Sequence, residues 1–226
     1  MRWKVVTRLT QDAKRISKFV VLVLMVGVLW FSDTSYAVLV YFDNITNNNP
    51  GDAAIGEAQL TVDVTNGSDT VTFTFHNEGA FNCSIAEIYF DDGSLLSFNS
   101  IIENPPDVDF KQEDIGDVNP KNLPGANLAV PPFVATTMFS IEPENPQPYH
   151  GVNPGETVGL VYNLVDEQTV DDILNELASG ELRIGIHVID FDSGGSESFI
   201  NLPVPEPATL FFLCLGPIVL MKKRRY

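Results

Sequence analysis

Basic residues are scarce through most of this chain. Its 226 residues include 13 Lys and Arg against 30 Asp and Glu, and ten of the 13 fall in the first 18 or last five positions. Between Val38 and Glu206 only Lys111, Lys121 and Arg183 remain, facing 28 acidic residues, a net charge of −25. A body that negative argues against nucleic acid or an anionic membrane surface as a partner. It favours solubility, repels like-charged polysaccharide and attracts divalent cations. Cysteine is as sparse: Cys83 and Cys214 are the two in the chain, and only Cys83 lies in the central stretch, so no disulfide can form within it. Cys83 reads as a small buried hydrophobe. Both tryptophans, Trp3 and Trp30, precede that stretch, which removes the usual platform for a sugar ring. The three histidines, His76, His150 and His187, are far apart and show no His-x-His or His-Glu-x-x-His spacing. Ser196 and Ser198 follow Gly194-Gly195, but no Gly-x-Ser-x-Gly elbow is present. These absences leave no recognisable catalytic constellation, and the chain reads as no enzyme.

The two ends are built differently from the middle. Residues 1–18 carry six basic side chains and one acid, Asp12; Phe19 to Phe31 is almost wholly apolar; Ser35-Tyr36-Ala37 then places small residues three and one before a cut after Ala37. This charged, apolar and small-residue order is that of a secretory signal peptide, and the apolar core is short for a spanning helix. At the other end, Val204-Pro205-Glu206-Pro207 precedes an apolar run from Leu210 to Met221, then Lys222, Lys223, Arg224 and Arg225. The prolines enforce an exposed, extended segment, and the four cations hold that end on the cytoplasmic side. With both ends set aside, residues 38–202 form one domain, large enough to hold a core without disulfides.

Within that domain the dominant signal is alternation. Val38 to Phe42 opens a strand. Leu60, Val62 and Val64 alternate with polar residues, as do Val71, Phe73 and Phe75, and Asn66-Gly67 between the two runs predicts a tight hairpin. Further strands are expected at 85–90, 95–98, 157–164, 182–188 and 198–202, with extended chain at 135–141 and a short strand near 108–110. One helix is expected near 170–179, capped by Thr169 with Asp172, striped by Val170, Ile173, Leu174 and Leu177, and stopped at Gly180. Short strands with turn punctuation and one small helix predict an all-β antiparallel β-sandwich, with a jelly-roll-like order within that class.

The C-terminal layout resembles the PEP-CTERM sorting signal of exported proteins in Gram-negative bacteria that make extracellular polysaccharide. It departs from that pattern at Pro217, which interrupts the apolar run, and at Cys214. The body carries phrases similar to those of uncharacterised PEP-CTERM proteins, including Ile88-Tyr89-Phe90-Asp91-Asp92-Gly93, Gly151-Val152-Asn153-Pro154-Gly155-Glu156 and Ile184-Gly185-Ile186-His187-Val188. The resemblance implies export through the inner membrane, handling by signal peptidase and an exosortase, and delivery to the cell envelope or extracellular matrix. It implies no activity. A retained tail would instead be a single-pass anchor of the same orientation.

Two ligand expectations remain. Asp190, Asp192 and Glu197, with Ser193, surround the Gly194-Gly195 turn, and Asp91-Asp92 and Asp107-Val108-Asp109 add carboxylates in predicted loops; such oxygen-rich loops suit calcium, although no EF-hand spacing is present. Hairpin-turn chemistry explains the same residues equally well. No other cofactor is implied. Tyr41, Tyr89, Tyr149 and Tyr162 are candidate stacking residues if the sandwich is a carbohydrate-binding module. The leading expectation is a non-enzymatic surface or matrix protein; the carbohydrate-binding module, with or without calcium, stands second.

Overall fold

The computed structural model describes residues 37–67, 69–91, 96–104, 107–112, 122–136, 141–165 and 168–204. Ten strands follow one another as β1 (Ala37–Asn44), β2 (Leu60–Asn66), β3 (Thr70–Asn77), β4 (Ser84–Asp91), β5 (Leu96–Asn104), β6 (Phe110–Gln112), β7 (Ile141–Pro143), β8 (Thr157–Leu164), β9 (Arg183–Ile189) and β10 (Glu197–Asn201). The described helices are α1 (Pro50–Gln59), the single turn α2 (Gln147–His150) and α3 (Val170–Ser179). The strands are ordered β5-β8-β3-β2-β1-β10-β9-β4-β7-β6, and the pairings between them are antiparallel.

β1 makes this order into a sandwich. Its first half, Ala37 to Tyr41, pairs with Thr65 to Thr61 of β2, while Phe42 to Asn44 pairs with Asn201 to Phe199 of β10. One strand thereby serves both sheets at the corner where they fold over each other. At the far edges, Phe110 N on β6 donates to Glu103 Oε1 on β5 at 2.9 Å, so the two sheets also approach there. The all-β antiparallel class expected from the alternation is the class observed.

The core follows from the same alternation. On β3, Val71, Phe73 and Phe75 are fully buried while Thr72, Thr74 and His76 face outward. Phe73 of β3 meets Phe90 of β4 edge-on at 5.1 Å, and Phe90 meets Tyr162 of β8 at 5.2 Å, so rings from the two sheets interlock. Each buried Phe contributes about 1.5–3 kcal/mol by leaving water. Edge-to-face contact adds about 0.5–1.5 kcal/mol per pair. A second apolar cluster lies outside the main one: Tyr89, Leu123, Ala126, Phe133 and Ile200, where the chain from 122 to 136 covers β4, β9 and β10. Gly185 permits this close approach, since a Cβ there would stand 2.9 Å from Leu123 Cδ2 and 3.0 Å from Phe133 Cζ.

α3 stands where its cap and stripe placed it. Thr169 and Asp172 form a reciprocal capping box, the four apolar stripe residues are buried, and Gly180 closes the helix at φ 79°. α1 was not expected. Asn49 caps it by accepting from Gly51 N at 2.9 Å, and Pro50 occupies its first turn. Gly56 lets the helix lie against Phe199, because a Cβ would fall 2.2 Å from Phe199 Cζ. Of the extended chain expected at 135–141, residues 137–140 lie outside the described residues and Ile141 opens β7 (Ile141–Pro143). Residues 133–136 follow an irregular path because Ala135 N is held by Asn122 Oδ1 at 3.0 Å and Phe133 N by Ala126 O at 2.9 Å.

Candidate functional site

The carboxylates singled out in the sequence are put to different uses. Glu197 is 1 % exposed and receives Thr46 Oγ1 at 2.5 Å, Asn49 N at 2.6 Å, Asn48 N at 3.1 Å and Asn44 Nδ2 at 3.1 Å. These take the roughly four acceptor positions a carboxylate offers. Burial pushes its carboxyl up, but the bonds from Thr46, Asn49, Asn44 and Asn48 together outweigh it and hold the group below the ordinary glutamate range. Glu197 therefore pins residues 44–49 onto β10 and sets the entry to α1.

Asp192 accepts Asn82 Nδ2 at 2.6 Å, and the Ser193 hydroxyl is bound to buried Asp52 while receiving Gly195 N at 3.0 Å. Asp190 is exposed, at φ 61°. Asp91 pairs with Arg183, whose guanidinium also donates to Pro131 O at 2.6 Å and Pro132 O at 2.8 Å and lies 5.4 Å from the Phe133 ring centre. Asp190, Asp192 and Glu197 are thus not brought together. Among the described residues no group of three or more His, Cys, Asp or Glu is placed to share a metal ion. Asp92, Pro205, Glu206, Pro207 and Lys222 to Arg225 lie outside the described residues, as do residues 1–36. Ala37 opens β1 opposite Thr65, and Val204 is buried in the main core.

What the structure does assemble is an open groove of about 840 Å³. It is lined by Tyr149 and His150 from α2 and its end, by Asp107 from the segment before β6, by Asn153 and Glu156 from the approach to β8, and by Asp190 from the end of β9. Pro146 and Pro148 stiffen its rim. Tyr149 is 72 % exposed. His150 Nδ1 lies 3.0 Å from Asp107 O, and Asp109 N donates to His150 O at 3.1 Å, which ties α2 to the segment before β6. Glu156 Oε2 receives both nitrogens of Asn153, at 2.9 and 3.1 Å. Asp107 and Asp190 receive no side-chain hydrogen bond from the described residues. The Ser84 hydroxyl, outside the groove's lining, is fully buried without a partner, against Gly151, where an added Cβ would stand 2.3 Å away.

Of the four tyrosines named as stacking candidates, Tyr89 and Tyr162 are core residues and cannot meet a ligand, while Tyr41 is half exposed on the outer face of β1. The carboxylate-lined groove around Tyr149 was not foreseen. Its residues are separated by up to 83 positions, and the only local signal was the Pro-rich stretch around Pro146 and Pro148.

A second juxtaposition carries the residue types of a hydrolase relay. Ser198 on β10 faces His187 on β9, which faces Glu87 on β4; His187 Nδ1 lies 3.2 Å from Glu87 Oε2, to which Tyr89 also donates at 2.7 Å. The Ser198 hydroxyl, however, is closed to solvent and bonded to nothing. A nucleophile must reach its substrate, and this one is sealed inside a strand. Cys83 is no better placed: burial, opposed by hydrogen bonds from Gln59 and Asn77, pushes its thiol up to about 11. Comparison of the chain with family models, curated proteins and solved structures returns no match.

Proposed function

We propose that this chain is an exported, non-enzymatic protein of the cell envelope or extracellular matrix, cut by signal peptidase after Ala37 and sorted by an exosortase at Pro205-Glu206-Pro207 together with the exopolysaccharide system. The observation that carries the reading is the position of the two expected cuts at the margins of one sandwich. Ala37 is an exposed end-residue of the β1 ladder, so its removal leaves Val38 and Val40 packed. Val204 is still core, and the motif begins one residue later. Processing at these points would leave every described residue from Val38 to Val204 in the chain. Support for a non-enzymatic role comes from the sealed Ser198 hydroxyl and the neutral, buried Cys83 thiol. Cell fractionation of the intact chain and of a variant ending at Leu202-Pro203-Val204 tests the sorting: the intact chain should reach the envelope or matrix and the shortened one should remain in the periplasm. Identical distribution of the two would sink the proposal.

A carbohydrate-binding role is the second reading, favoured by the exposed Tyr149 ring beside acceptor carboxylates in a solvent-open groove. Retention of the protein on an immobilised polysaccharide, lost in Tyr149→Ala, is its expected signature.

A further inference from the structure

The groove's chemistry selects among sugars. Aromatic rings bind the C–H face of a pyranose and attract a nearby cation through their negative faces. Tyr149 offers such a ring, largely in water. Around it stand three carboxylates, Asp107, Glu156 and Asp190, and no Lys or Arg lines the groove. Glu156 is already engaged by Asn153, whereas Asp107 and Asp190 keep their acceptor oxygens for a ligand. The two described basic side chains are both spent elsewhere, Lys111 on Glu144 at 2.6 Å and Arg183 on Asp91. A uronic-acid or phosphate-bearing sugar would therefore meet three carboxylates, with the His150 ring, its Nδ1 held at Asp107 O, as the one nitrogen base on the lining. A neutral sugar could stack and donate hydroxyls. A sugar with a free amine would do both and also pair its ammonium with a carboxylate.

We propose that the groove binds a cationic amino-sugar unit, such as the glucosamine residues of a partly de-N-acetylated polysaccharide, with Tyr149 as the stacking ring and Asp107 and Asp190 as the charge-reading groups. The proposal rests on the carbohydrate-binding reading above and narrows its ligand. It also gives the −25 charge of the mature body a role, since that field gathers a cationic polymer and turns away anionic ones.

Isothermal titration of the processed protein with a glucosamine tetramer, an N-acetylglucosamine tetramer, a galacturonate tetramer and tetralysine tests it, at slightly acid pH and moderate salt. The glucosamine tetramer should bind tightest, its acetylated counterpart more weakly and the uronate not at all. Tyr149→Ala should weaken both amino-sugar ligands about fivefold, in line with loss of one aromatic contact. Asp190→Asn should weaken the glucosamine tetramer about fivefold, as expected for one charge pair near a surface, and leave the acetylated tetramer unchanged. Glu181→Gln, at the turn after α3, should change nothing. Equal binding of acetylated and free-amine tetramers, both lost in Tyr149→Ala, would overturn the charge selection while leaving carbohydrate binding standing. Failure of every sugar to bind would overturn both. Tetralysine binding as well as glucosamine, with Tyr149→Ala indifferent, would show a groove that merely collects positive charge, and the proposal would fail.

Discussion

Replacing Glu197 by Gln changes one charge and almost no volume, yet it should be among the most damaging single substitutions in the protein. Three donors converge on Oε2 and one, Asn49 N, on Oε1. A glutamine can keep its oxygen toward the three, but its amide then points two N–H groups at the Asn49 N–H. One hydrogen bond is lost, a buried donor is left facing a donor, and the other three bonds lose their charge assistance. Unsatisfied buried donors cost about 1–3 kcal/mol and bonds to charged groups contribute about 1.5–3 kcal/mol. A loss of roughly 3 kcal/mol is therefore expected, which for a urea slope of about 2 kcal/mol per molar lowers the unfolding midpoint by about 1.5 M. The pH dependence gives a second reading of the same contact. Glu197 is held below the ordinary glutamate range in the folded state, so the stability it supplies is complete above that range and drains away as pH falls through its lowered folded value. Wild type and Glu197→Gln should therefore differ most near neutrality and converge in acid. A midpoint shift below about 0.3 M, or a gap that stays constant with pH, would refute this account of the 44–49 segment.

Other expectations are smaller in scope. Gly56→Ala drives a methyl into Phe199 and should cost about 1–3 kcal/mol in urea unfolding, whereas Gly155→Ala, with open space but φ 88°, should cost about 1 kcal/mol. In the processed protein Cys83 should be silent to thiol reagents until urea unfolds the domain; labelling at the rate of a free thiol without unfolding would contradict its burial. Arg183→Ala removes the clamp on Pro131 and Pro132, so limited proteolysis should cut first between residues 122 and 136; an unchanged cleavage pattern would show that Phe133 and Leu123 alone suffice.

The fold was legible in the sequence wherever a residue's neighbours two positions away decide its environment. Val71, Phe73 and Phe75 announce an inward face and Thr169 with Asp172 a helix start, as found. The β2–β3 hairpin is present, although Asn66 pairs with Val71 and Gly67 N donates to Thr70 O, so the Asn-Gly step ends the ladder and does not itself make the turn. α1 escaped because its apolar residues form no stripe: Pro50, Gly51 and Gly56 weaken its propensity, and beyond the local Asn49 cap the helix is held by contact with Phe199, a feature of tertiary origin. The Asn49-Pro50 step was its one readable signal. The loop carboxylates were legible as acidic but not as partners. Nothing local tells that Glu197 will be buried under Asn44, Thr46, Asn48 and Asn49, some 150 residues earlier, while Asp190 will face water beside Tyr149. Charge composition foreshadowed the groove's acidity before its place was known, since only Lys111, Lys121 and Arg183 stand among 28 acidic residues between Val38 and Glu206.

The most direct test of the central claim is an intact-mass measurement of the native protein, taken separately from envelope and matrix fractions. The account predicts a chain that starts at Val38, retains Val204, and ends within or just after Pro205-Glu206-Pro207, because Val204 is part of the core and the motif follows it directly. A mass that still includes Lys222 to Tyr226 in both fractions would contradict exosortase sorting and make the tail a permanent anchor.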